Sequence, residues 1–154
     1  MSEQLARVIY DESVRTVDSQ RELLEGLRAR AGTLLASAFV ATAFFSGKAL
    51  GRRDLPPLGW TAILLFGVVV LATLAVLIPS RWTFAHDPHE LIAYYLEPEP
   101  PPSVEELYRN LAVWNGVHNI KNGFKLRLMF GAFGVACASL AVEIAIWLVM
   151  LVGG

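Results

Sequence analysis

Glu143 is the only charged side chain between positions 128 and 154, in a run otherwise dominated by Leu, Val, Ala, Phe and Gly. A carboxylate in such a run is expensive in hydrocarbon, so it must face other helices or a water-filled path. Two kinds of chemistry follow. The group can carry ions or protons or gate subunits, or it can hold helices together through hydrogen bonds. Ser139, Ala136 and Ala132 share its helical face at steps of three or four residues. Thr42 and Ser46, at similar depth in another apolar run, are its candidate partners.

Asn115, Asn119 and Asn122 form a second constellation at helical spacing, with Lys121 and Lys125 beside them and Arg109 and Tyr94 behind. Asparagine is a poor helix former, so a stripe of it needs a reason. Read as a binding site, the amides would bond a base or sugar and the cations a phosphate. Trp82, Tyr94, Tyr95 and Trp114 would stack on a base. Read structurally, the stripe is the solvated side of an interfacial helix, with Trp and Tyr as belt residues. Lys125 and Arg127 then meet phospholipid head groups. His86 and His89 have a His-x-x-His spacing, but Glu90 is explained by helix capping and His118 stands alone. No metal site is expected from so few ligands. No phosphate loop, nucleophile elbow or soluble carboxylate pair is present, and no enzyme or cofactor is expected.

These residues sit in a chain that is 55% hydrophobic and 18% charged, with the charges segregated. Positions 32–47 and 55–80 carry none. A soluble helix of that length shows a charged face, and 154 residues are too few to bury three helices apolar all round. Each apolar run is near the ~20 residues a bilayer requires. The expected fold is therefore all-α, an integral membrane protein with three transmembrane helices and long amphipathic cytoplasmic helical extensions. The segments are 1–31 (cytoplasmic helix), 32–50 (first span), 51–59 (external loop), 60–79 (second span), 80–127 (cytoplasmic, with a Pro-rich spacer) and 128–152 (third span). Cys137, inside the third span, reads as a small packing residue. The charged first thirty residues lack the apolar stretch of a signal peptide.

Three crossings place the N-terminal segment and 80–127 on one face. Ten Lys and Arg lie there against Lys48, Arg52 and Arg53 opposite. The excess makes the larger face cytoplasmic, with the N-terminus inside and the C-terminus outside. Near-heptad spacing of Tyr10, Val14, Val17, Leu24, Leu27 and Ala31 predicts one rod over about 4–50, roughly 70 Å long. Asp11–Arg15 and Glu25–Arg28 are its expected ion pairs. Asp87-Pro88 starts a short helix through Tyr95 or Leu96. Ser103-Val-Glu-Glu106 is a capping box opening a second rod that runs into the third span. Leu107, Leu111, Trp114 and His118 are the stripe expected to face the first rod. Gly131, Gly134, Ala138, Ala141 and Ala145 form a small-residue stripe that lets another helix approach closely, from this chain or a second copy.

Four short motifs stand on this layout: Arg28-Ala-Arg-Ala-Gly-Thr-Leu-Leu35, Ile78-Pro79, His86-Asp-Pro-His-Glu-Leu-Ile-Ala-Tyr-Tyr95 and Lys125-Leu-Arg-Leu128. With them the chain resembles the transmembrane effectors of Pycsar antiphage systems, within the broader SLATT-type defence membrane proteins. The resemblance implies an inner-membrane protein whose cytoplasmic part senses a cyclic pyrimidine nucleotide, cyclic CMP or cyclic UMP, made by a partner cyclase. It also implies spans that assemble as a homo-oligomer and impair the membrane, causing abortive infection. With no basic tract, nucleic acid is not an expected partner; the lipid bilayer is. The expected ligand contacts are Asn115, Asn119, Lys121, Asn122, Lys125, Arg109 and Tyr94, with Glu143 as the intramembrane element. The alternatives are a non-sensing scaffold or accessory subunit of a larger membrane complex and, further off, a proton-coupled transporter.

Overall fold

The computed structural model describes residues 3–49, 56–80, 82–84, 88–95, 97, 100 and 102–152. Among them the chain is helical, without a strand. The helices are α1 (Glu3–Ala49), α2 (Pro57–Leu77), α3 (Pro88–Tyr95) and α4 (Val104–Val152). Three of them, α1, α2 and α4, are long and apolar enough to cross a membrane. Residues 51–55 of the expected external loop (51–59), Arg81, His86, Asp87 and much of the Pro-rich spacer lie outside the described residues.

Local chemistry explains the boundaries. Pro57 occupies the first turn of α2 behind Pro56, where a missing N–H costs nothing. The helix therefore begins three residues before the expected 60. It stops at Leu77, where the Ile78 N–H turns back to the Leu74 carbonyl, 2.8 Å away. Ser103 caps α4 as its sequence requires, its Oγ accepting the Glu106 N–H at 3.2 Å. The ion pairs of α1 differ from those expected. Arg15 turns to Glu12 (3.5 Å) and Glu25 to Arg21 (3.1 Å). All four side chains are exposed, so either choice stabilises the helix little. Arg28 instead keeps Nε and Nη2 buried without a hydrogen-bond partner among the described residues.

The chain divides into two units: residues 1–25 with 80–126, and residues 26–79 with 127–154. In the first, α1 and α4 run parallel. Tyr10 meets Tyr108 (ring centroids 5.5 Å apart), Ser13 meets Asn115 and Gln20 meets Asn119. Ala6, Val17, Leu24, Ala112 and Leu126 are buried in this unit. The face α4 presents to α1 is not the expected Leu107, Leu111, Trp114 and His118, which are half-buried. It runs one residue further on, through Tyr108, Asn115 and Asn119 with Ala112 buried among them, while Asn122 bonds Thr83 instead. Small Ala112 and Gly123 let the backbones close. A Cβ on Gly123 would stand 3.3 Å from Gln20 Nε2.

In the second unit Ala38, Val69 and Leu140 form the core, with Leu34, Phe66 and Ile144 against it. Phe39 meets the Phe66 ring edge-on at 5.1 Å. α1, α2 and α4 each give one residue to this centre. Cys137 is half-buried in the same unit.

Candidate functional site

The polar centre of the second unit is Glu143. Its side chain is 1% exposed. Thr42 Oγ1 donates to Glu143 Oε1 at 2.6 Å, and Trp147 Nε1 donates to the same oxygen at 3.2 Å. The Thr42 partnership is the one expected from depth. Ser46 instead donates weakly to the Ala43 carbonyl at 3.4 Å. Trp147 escaped sequence reasoning, although it stands one turn beyond Glu143, where i,i+4 side chains meet. Glu143 Oε2 is buried and has no hydrogen-bond partner among the described residues. The carboxyl thus ties α1 to α4 through one oxygen and keeps the other in reserve. Thr42→Val is expected to destabilise the unit by about 0.5–2 kcal/mol, the range for interhelical hydrogen bonds in membranes; unfolding in micelles measures it.

The polar centre of the first unit is the asparagine ladder. Asn115 and Asn122 are buried, not solvated. Asn115 Nδ2 donates to Ser13 Oγ at 2.9 Å, and that hydroxyl donates to the Tyr10 carbonyl at 2.7 Å. Asn122 Nδ2 donates to the Thr83 carbonyl at 3.0 Å, holding the chain that leaves α2 against α4. The Asn119 carbonyl accepts from Gln20 Nε2 at 3.0 Å. Three buried polar atoms in this unit lack a hydrogen-bond partner among the described residues: Gln20 Oε1, Asn119 Oδ1 and Trp82 Nε1. Ser13 and Gln20 were also missed. Their signal is positional, because both fall on the 4-3 spacing of Tyr10, Val17, Leu24 and Leu27, where polar residues fix register.

The expected cations and aromatics stand apart from this ladder. Lys121 is exposed. Lys125 places Nζ 5.6 Å from the Trp82 ring centre, and Trp82 stacks on Phe84 at 5.6 Å. Arg109 lies 4.0 Å from Glu106 and lines a groove with Ala6, Ile9, Ala112 and Val113. That groove holds about 170 Å³, below the ~300–1,000 Å³ of small-molecule pockets. Tyr94 is exposed on α3. His118 Nδ1 lies 3.0 Å from the Trp114 carbonyl of its own helix. No group of three or more potential metal ligands gathers among the described residues.

No known protein family, no curated protein and no solved structure matches this chain.

Proposed function

We propose that this chain is a membrane effector of prokaryotic antiphage defence. It spans the inner membrane three times, senses a cyclic pyrimidine nucleotide on its cytoplasmic helices and impairs the bilayer. One observation carries the membrane part. In the most apolar windows of α1, α2 and α4, only 11%, 22% and 22% of residues are buried within the chain. Helices that apolar, left uncovered by their own fold, need hydrocarbon around them. The gathering of 1–25 with 80–126 supports an even number of crossings, two, between those two polar segments.

The defence role and the ligand class rest on the resemblance. Lys121, Lys125, Arg109 and Tyr94 remain the contacts for phosphate and base. Ligand binding drives a change only through different affinity for two packings of the helices. Calorimetry of the purified protein with cyclic CMP and cyclic UMP tests the sensing step. Binding is expected, with a loss of roughly tenfold or more in Lys121→Ala, since bonds to charged groups are worth about 1.5–3 kcal/mol. No binding to any cyclic nucleotide removes the mechanism.

A second reading, a non-sensing oligomeric scaffold, is favoured by one fact: Asn115 and Asn122 each direct an amide donor to this chain. It expects Lys121→Ala to be silent and an unrelated membrane protein to co-purify.

A further inference from the structure

We propose that the outward face of α4 is a docking seam for a second copy of this chain, laid parallel to the first. This deepens the homo-oligomer of the reading above and rests on that reading for the parallel orientation, because copies inserted alike point the same way.

α4 carries two heptad seams. One is satisfied internally: Tyr108, Ala112, Asn115, Asn119 and Asn122 in the first unit, and Ala136, Leu140, Glu143 and Trp147 in the second. The other begins five residues later in sequence, about 140° around the helix. In the first unit it consists of Val113, Val117, Ile120 and Phe124, spaced 4-3-4 as knobs of a coiled coil are. Among the described residues it stands open, with only Val113 bordering α1 through the groove it shares with Ala6 and Ile9. The four seam residues are 62%, 46%, 77% and 62% exposed.

They lie in the unit that holds the polar segments, where lipid tails are not the expected solvent. The outward side of α1 there is different: Asp11, Glu12, Arg15, Asp18, Glu22 and Glu25 are all exposed. α1 also exposes Leu5, Val8, Ile9 and Leu23, but those on α4 line up at 4-3-4 spacing without a charge between them on that stripe. The four side chains leave on the order of 400 Å² of apolar surface in the open, the scale at which a patch marks an interaction site. It is also about half of what each partner gives to a standard stable interface.

The same spacing supplies the rest. In the second unit it reads Gly131, Gly134, Ala138, Ala141 and Ala145, all exposed, on the side of α4 opposite Ala136, Leu140, Glu143 and Trp147. A Cβ at Gly131 or Gly134 would meet nothing within 4 Å. Gly131, Gly134 and Ala138 let another backbone approach, while Ala141 and Ala145 border a groove that Leu58 of α2 also lines. In a parallel pair each seam residue meets its own counterpart, so one surface is complementary to itself. Asn110, one step above Val113 on the seam, would pair with itself and fix the register. Arg127 also falls on the spacing; its long arm leaves the seam for the head groups.

Oxidative cross-linking of the full chain in native membranes tests the seam. In a Cys137→Ser background, Val117→Cys and Ile120→Cys are expected to give disulfide-linked dimers, while Asp18→Cys and Glu22→Cys on α1 stay monomeric. A second measurement guards against trapped collisions: light scattering in detergent should show the molar mass halving in Ile120→Glu, with helical circular dichroism unchanged. Equal cross-linking at all four positions, or none at the seam, overturns the proposal. So does a fluorophore at Ile120→Cys that is quenched by brominated lipid while no dimer forms, because lipid then covers the face. Cyclic-nucleotide binding is a separate readout, so its absence would end the sensing reading and leave the seam standing.

Discussion

Trp147→Ala is expected to destabilise the second unit by about 3–5 kcal/mol, the range for large-to-small changes at buried aromatic positions. Two losses combine. The indole is buried, so its removal leaves a cavity beside Glu143. Its Nε1–H also leaves Glu143 Oε1 with Thr42 alone. Trp147→Phe separates the two, since it keeps most of the ring volume and removes only the donor; a cost of about 1 kcal/mol is expected for the missing bond. Thermal unfolding in lipid nanodiscs, followed by circular dichroism, reads both variants. Equal melting of Trp147→Ala and the native chain would show that this side chain supports nothing in the bundle.

Replacing both ladder residues, Asn115→Ala with Asn122→Ala, is expected to destabilise the first unit by roughly 1–3 kcal/mol, since each change removes one part-buried hydrogen bond. The partners are Ser13 Oγ and the Thr83 carbonyl. The loss should appear as faster amide hydrogen exchange over 104–126, with the apolar segments unaffected. The same variant bears on function. Should the ladder touch a ligand, affinity for cyclic CMP falls beyond what partial unfolding accounts for. Should its role be structural alone, affinity falls only as far as the partial unfolding accounts for.

Much of this architecture was legible because it follows from local rules. Uncharged runs of about 20 residues, Pro at a helix start and Ser-x-x-Glu before an apolar stripe each carry their meaning in adjacent residues. The starts of α2 at Pro57 and of α4 at Val104 follow these signals, and Thr42 opposite Glu143 follows from matching depth along two helices. The facing stripe of α4 did not. Leu107, Leu111 and Trp114 are the more hydrophobic choice, and hydropathy alone selects them. The buried face instead carries small Ala112 and the amides of Asn115 and Asn122, because a close helix pair places small residues and paired polar groups at its contact. Ser13 and Gln20 were overlooked for the same reason: the apolar pattern was read and its polar exceptions were not.

The sequence by itself determined that the chain is all helical, that three helices are long and apolar enough to cross a bilayer, and where its charges are confined. These are one-dimensional properties, set by composition and period along a single helix. Tertiary structure decided which side chains share an oxygen, which amides are consumed inside the fold, and which of the two seams on α4 is left open. Those depend on rotation of one helix against another, and a shift of one residue in that rotation moves every contact by about 100°.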